Sequence, residues 1–248
     1  MDTIPYLSFM TANTYILQIE TATPVCSVAI SKNGHIAACV EADTPNIHAS
    51  HLTLFIEEAL TKAAISEQEL SAVAVSMGPG SYTGLRIGVS TAKGLCYALD
   101  IPLIAINTLA SMAAGRIAQE AQSQDAIRLP QETILMPMID ARRMEVYTAA
   151  FGSDMQCLEA TSARIIDQDS FAGEEGKNYL LFGSGADKFE ELFADNPAVQ
   201  VQCGFRNSAS FFGQLAFEKY QQQTFEDVIY FEPYYLKDFM VTMPKKKR

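Results

Sequence analysis

The chain is short of positive charge. Eighteen lysines and arginines stand against 29 aspartates and glutamates, a formal net charge of −11 over 248 residues. That balance argues against nonspecific binding along a phosphate backbone, which needs clustered Lys and Arg. The one basic cluster, Lys245–Arg248, closes the sequence and reads as a solvated end. The five cysteines (Cys26, Cys39, Cys96, Cys157 and Cys203) are scattered and form no C-x-x-C, so neither a zinc knuckle nor a disulfide framework is suggested. Several lie in apolar runs and read as small buried hydrophobes, a pattern that suits a reducing cytoplasm. No apolar run approaches the roughly 18 residues of a membrane span. The N-terminus has no basic region ahead of an apolar core, so no signal peptide is expected. H-E-x-x-H, G-x-S-x-G and G-x-x-x-x-G-K-[ST] are all missing, which speaks against zinc-protease, serine-hydrolase and P-loop chemistry.

What is present is an ordinary folded composition, 48% hydrophobic and 19% charged, long enough for one large domain or two small ones. Residues 1–9 precede a second methionine, Met10, and read as either a start-site artefact or a loose extension. Thr14–Glu20 and Val25–Lys32 read as strands. Asn33-Gly34 is a strong hairpin signal, and His35–Ala42 is the return strand. Over 49–64 the apolar residues Leu52, Phe55, Ile56, Ala59, Leu60 and Ala63 recur at helical spacing. A strand at 72–75, a helix from about 83 to 99, a strand at 103–106 and a helix at 108–119 complete an order βββαβαβα. After a polar connector at 122–131 the pattern begins again. Strands are expected at 134–139, 145–151, 157–163 and 179–182, with helices near 168–175, 185–194 and 208–220. Two such halves predict a duplicated α/β architecture with a cleft between lobes.

The richest stretch is 72–99, AVAVSMGPGSYTGLRIGVSTAKGLCYAL. Gly78 and Gly80 flank Pro79 in a turn, and Ser81 or Thr83 can cap the helix that follows. Gly84, Gly88 and Gly94 each weaken that helix by roughly 1 kcal/mol relative to alanine, so something packs close to its backbone, a partner or a phosphate. His48 and His51 open a helix three residues apart, without the further ligands a metal needs. Asp140-Ala141-Arg142-Arg143-Met144-Glu145 is the most charged local constellation, a strand-ending turn with local ion pairs or a binding role.

Taken together, ILQIETATPVCSVAI at 16–30, HASHL at 48–52, SMGPGSYTGLRIGVSTAKGL at 76–95, IDARRMEVYTA at 139–149, FGSGADK at 182–188 and EPYYL at 232–236 resemble the TsaB (YeaZ) family. The resemblance covers almost the whole chain from Met10 onward. It implies a duplicated actin-like fold related to Hsp70 and the sugar kinases, with two βββαβα-type lobes: 10–121 and 122–241, after the extension at 1–9 and before a basic tail at 242–248. It also implies a cytoplasmic, non-catalytic scaffold and activator. That subunit pairs with a TsaD-like catalytic subunit and a TsaE-like ATPase. Together they transfer a threonylcarbamoyl group to N6 of adenosine 37 in tRNAs reading ANN codons, and tRNA is reached only indirectly through the complex. Alone, the chain is expected to form a homodimer.

The partner contact maps onto the helices at 49–64 and 83–99, through Leu52, Phe55, Ile56, Gly84, Leu85, Gly88, Val89 and Ala92. The turn Glu20-Thr21-Ala22-Thr23 stands where related phosphate-binding folds place Asp-x-Gly-Thr, with Ala22 in place of the glycine. The spacing His48-x-x-His51 departs from the H-x-x-x-H of TsaD-like subunits. No catalytic residue, metal or cofactor is therefore expected in this chain. Residual ATP or ADP contact through Glu20, Thr21, Gly183 and Gly185 is expected only at a composite interface. The rival readings are an ATP-dependent phosphotransferase or hydrolase of the same fold and, more remotely, a zinc glycoprotease-like enzyme.

Overall fold

The computed structural model describes residues 13–44, 47–122, 132–172 and 176–237. The first half lays down β1 (Tyr15–Glu20), β2 (Cys26–Lys32), β3 (His35–Ala42), α1 (His48–Ala63), β4 (Leu70–Gly78), α2 (Tyr82–Leu99), β5 (Leu103–Asn107) and α3 (Thr108–Gln122). Its sheet runs β3-β2-β1-β4-β5. β1, β4 and β5 are parallel, whereas β2 and β3 are antiparallel additions. Asn33 (φ 51°) and Gly34 (φ 84°) close the β2–β3 hairpin in two residues, both left-handed as such a turn requires. β1 and β4 are buried along nearly their whole length because helices cover both faces. On one face α1 and α2 set Leu52, Ile56, Ala59, Val89 and Ala92 against Leu17, Val28 and Val73.

The second half carries β6 (Thr133–Asp140), β7 (Glu145–Phe151), β8 (Cys157–Ile165), β9 (Asn178–Phe182) and β10 (Val199–Gln202). Its order, β10-β9-β6-β7-β8, is that of the first sheet read from the other edge: three antiparallel strands, then two parallel ones. One topology used twice is a duplicated α/β architecture, and it agrees with the sequence expectation.

The second lobe departs from expectation in its helices. The described part of 168–175 is a turn. Asp167 accepts hydrogen bonds from the Asp169 N–H (3.1 Å) and the Ser170 hydroxyl (2.7 Å), and so competes with helix formation. Phe171 pins that turn against Tyr179 and Phe193. The segment 185–194 makes one short 3-10 turn at Asp187–Phe189 and further turns, in which Asp187 accepts from the Gly204 N–H (3.2 Å) and Phe189 and Phe193 pack into the second core. β10 escaped the sequence reading because a four-residue edge strand, VQVQ, carries little periodic signal. The helix expected at 208–220 is a 3-10 turn, Ala209–Phe212, followed by α4 (Gly213–Gln221).

Residues 208–237, grouped by sequence order with the second lobe, pack on the first. Ala209, Phe212 and Ala216 fill the second face of its sheet against Ile16, Ala74, Ile104 and Ile106. Val228 and Phe231 then join the first core, and the Tyr234 N–H donates to the Met77 carbonyl (2.7 Å). Burial of these apolar groups outweighs chain order.

Cys26 and Cys96 are buried as expected, but Cys157 and Cys203 are exposed, at the start of edge strand β8 and just beyond β10. Among the described residues no helix is long and apolar enough to cross a membrane.

Candidate functional site

Two turns meet at the carboxyl ends of β1 and β4. The β4–α2 turn runs through Pro79 and Gly80 to Ser81, which caps α2 by accepting a hydrogen bond from the Gly84 N–H (3.2 Å). A phosphate held at this helix start would need its free N–H donors. Two of them are taken within the chain, the Ser81 N–H by the Ala22 carbonyl and the Gly84 N–H by the Ser81 hydroxyl. The Ser81 N–H donates to the Ala22 carbonyl (2.7 Å), and the Thr21 hydroxyl donates to the Gly84 carbonyl (2.8 Å). A β-carbon on Gly80 would stand 2.6 Å from the Ala22 methyl, one on Gly84 would strike the Thr21 carbonyl, and one on Gly88 the Thr21 hydroxyl. The residues present do not fit a nucleotide phosphate at this turn, because Thr21–Ala22 would have to leave first.

This corrects the sequence reading of the small-residue seam. Gly84 and Gly88 make room for this protein's own β1–β2 turn, and Ala92 is buried in the first core. Leu52, Ile56, Leu85 and Val89 are likewise at most 6% exposed and face the sheet, with Phe55 half-buried beside them. Of the eight expected interface residues, then, the structure turns all but the edge of Phe55 inward. The faces that α1 and α2 present to solvent are different. Leu54 is 53% and Tyr97 83% exposed, and a β-carbon on Gly94 would meet nothing within 4 Å. Period counting finds a helical stripe but cannot tell which of two apolar-tolerant faces meets the sheet, so these residues were missed. Gly94 carried the available signal, as the one α2 glycine off the 84–88–92 line.

Glu20 ends β1 with no exposure at all. One carboxyl oxygen accepts from the Ala22 N–H (2.6 Å) and so shapes the turn. Burial pushes the carboxyl up from 4.5 to about 7, partly offset by that backbone bond and by the nearby Ser76 and Asn207 side chains. Neither of those side chains reaches hydrogen-bond geometry with the second oxygen. His48, at the start of α1, directs Nε2 at the carbonyls of Thr23 (3.0 Å) and Val25 (3.3 Å), which ties the same turn to the helix. His51 instead contacts the Ser50 hydroxyl through Nδ1 (2.8 Å), so the two imidazoles serve different neighbours. Among the described residues no three His, Cys, Asp or Glu side chains gather.

Between the lobes lies a cavity of about 210 Å³, bounded by Thr23–Val25 on one side and by Ser184, Asp187 and Gly204–Asn207 on the other. The Gly183 and Gly185 turn forms part of its far wall by packing on the end of β6. Gly183 (φ +102°) lies against the Met138 carbonyl, and the Gly185 N–H donates to that same carbonyl (3.0 Å). Both glycines are therefore accounted for by close approach to β6. Glu20 and Thr21 sit behind the opposite wall and are fully buried.

The remaining charged constellation is the β6–β7 hairpin. Asp140 and Glu145 are each paired, the first with Lys188 (2.5 Å) and the second with Lys237. Lys237 lies two residues beyond Tyr235 on the strap that crosses α2, where Tyr235 accepts from the Arg86 guanidinium (3.2 Å) and stacks on Tyr82.

Comparison with known proteins agrees with this architecture. The sequence model of the family described as tRNA N6-adenosine threonylcarbamoyltransferase, TsaD, matches residues 42–245. The tRNA threonylcarbamoyladenosine biosynthesis protein TsaB of Haemophilus influenzae is 27% identical over 236 residues, 91% of this chain and 94% of that one. The TsaB of Escherichia coli is 37% identical over 139 residues, and this stretch spans 56% of the chain and 55% of the relative's length. A solved structure from Pseudomonas aeruginosa, described as an uncharacterized protein with similarity to peptidase YEAZ, shares the fold. Its TM-score is 0.75 at 23% identity, with 90% of this chain and 100% of that one covered. The chain thus belongs to the threonylcarbamoyltransferase family whose model it matches, within its TsaB (YeaZ) branch.

Proposed function

We propose that this chain is a non-catalytic accessory subunit in the synthesis of threonylcarbamoyladenosine in tRNA. It pairs with a TsaD-like transferase subunit and activates transfer of the threonylcarbamoyl group to N6 of adenosine 37 in tRNAs reading ANN codons. A TsaE-like ATPase joins that pair, and a second copy of the chain occupies the same face when the transferase is absent. The observation that carries the reading is the self-filled cradle. The Ala22 carbonyl holds the Ser81 N–H that a phosphate would use, and Glu20, the carboxylate at the end of β1, is sealed from solvent. Those two features speak against a phosphotransferase working in the cleft of this chain, and any nucleotide is expected at a joint with a partner. The function left to the chain is to present a surface.

That surface is the outer face of α1 and α2, which lie side by side over the first sheet. Leu54 and Tyr97 supply exposed apolar area, worth roughly 25 cal/mol for each Å² buried. Gly94 lets a partner helix approach the backbone closely. The test is co-purification of the transferase subunit with wild type and with Gly94→Arg, whose side chain points into open space and leaves the fold intact. Loss of pairing at an unchanged melting temperature supports the reading. A Gly94→Arg protein that still retains the transferase at wild-type yield overturns it.

A further inference from the structure

The two lobes use one topological feature in opposite ways. In the first, Thr21 and Ala22 of the turn after the opening strand fold inward under α2. In the second, the equivalent turn between β6 and β7 stands out in solvent and carries Arg142 and Arg143, both exposed. Both arginines hold left-handed backbone angles, φ 78° and 52°. Two consecutive non-glycine residues in that region are strained, and they lie in a four-residue connection, 141–144, closed by the Glu145 N–H on the Arg142 carbonyl (3.1 Å). Fold alone therefore does not account for arginine at either position.

The charges around them point the same way. The two carboxylates of the hairpin are already neutralised, Asp140 by Lys188 and Glu145 by Lys237. Neither the Arg142 nor the Arg143 guanidinium has an ion-pair or hydrogen-bond partner among the described residues. The hairpin thus shows two uncompensated positive charges on a chain of net charge −11. Planar guanidinium forks suit phosphate oxygens, to which they donate two bonds at once. Its place also matters. Lys237, on Glu145, is two residues along the chain from Tyr235, on Arg86 of α2, a reach of at most about 7 Å. The hairpin accordingly flanks the helix offered to the transferase subunit.

We propose that Arg142 and Arg143 bind the phosphodiester backbone of the tRNA that the assembled complex modifies. This chain then touches its RNA directly, in place of the indirect contact that family resemblance implies. The proposal rests on the functional reading above.

The test is equilibrium binding of labelled tRNA to the complex of this chain with its transferase subunit, measured from 50 to 300 mM KCl. Arg142→Glu/Arg143→Glu is expected to weaken binding at least tenfold at the lowest salt. It is also expected to flatten the plot of log affinity against log salt by about 1.4 to 1.8, the loss of two phosphate contacts. Arg142→Lys/Arg143→Lys keeps the slope. Arg142→Gly/Arg143→Gly loses the slope yet melts no lower than wild type, since glycine relieves the strained angles. Threonylcarbamoyl transfer by the charge-reversed complex shows a raised KM for tRNA and an unchanged kcat. Affinity and slope unchanged across these variants overturn the proposal, as does a loss confined to ATP binding, which would give the arginines to a nucleotide. A glycine variant that melts lower, with binding lost in proportion, also overturns it by making the pair structural. A wild-type complex that performs no transfer sinks the functional reading instead, and the binding comparison still decides the hairpin.

Discussion

Replacing Glu20 with glutamine should make the protein more stable, and only above a definite pH. The carboxyl is wholly buried, and burial lifts it from 4.5 to about 7. The folded chain therefore holds the proton more tightly than the unfolded chain does. Its contribution to stability is whole below pH 4.5 and is lost as pH rises to about 7, beyond which the loss is constant. The difference between those two values corresponds to about 3 kcal/mol, a large part of the ~5–15 kcal/mol that holds a typical domain together. Glutamine keeps an oxygen for the Ala22 N–H and carries no charge. Urea denaturation of wild type and Glu20→Gln, followed by circular dichroism from pH 4.5 to 8.5, reads the effect directly. The two curves should nearly coincide near pH 4.5 and separate through pH 7, the variant ending higher by as much as about 3 kcal/mol. Parallel pH profiles would refute the reasoning. So would a variant less stable at pH 8, because it would mean that the charged carboxylate is itself a stabilising partner in the turn.

The glycines of α2 should separate cleanly. Gly88→Ala drives a methyl into the Thr21 hydroxyl and should lower stability by about 1–3 kcal/mol, whereas Gly94→Ala meets open space and should raise it by roughly 0.5–1 kcal/mol. Chemical denaturation of both variants checks this, and equal effects would mean that the turn does not fill the seam. Thr21→Ala, which removes the bond to the Gly84 carbonyl, should lower stability by about 1 kcal/mol in the same assay. Tyr97→Asp should abolish self-association of the isolated chain in sedimentation without lowering its melting temperature, since the ring is 83% exposed.

Much of the first lobe is legible in its sequence because the signals there are local and agree. Asn33-Gly34 sets a hairpin, the Leu52–Ala63 stripe sets a helix, and the Ala72–Val75 run sets a covered strand. In the second lobe local and tertiary signals part. The segment at 185–194 is expected as a helix, but its Phe189 and Phe193 reach the second core from a run of turns. The return of residues 208–237 to the first sheet was hidden for another reason: nothing in a linear pattern says which of two sheets an apolar helix covers.

The same limit applied at the candidate site. Small residues at 84 and 88 do have a close neighbour, but spacing cannot distinguish a partner's helix from the chain's own Thr21. The buried state of Glu20 was also invisible, since a carboxylate ending a strand in an actin-like fold reads as a ligand until its surroundings are known. Left-handed angles at Arg142 and Arg143 belong to the backbone alone and leave no trace in composition.

The central claim is that this chain activates chemistry performed by another subunit. It is tested most directly by reconstituting threonylcarbamoyl transfer to tRNA from the TsaD-like subunit, the TsaE-like ATPase and a threonylcarbamoyl-adenylate source, with and without this protein. The account predicts transfer that depends on the chain, and no ATP turnover by the chain alone. Full transfer in its absence, or turnover by the isolated chain that disappears in Glu20→Ala, would contradict it.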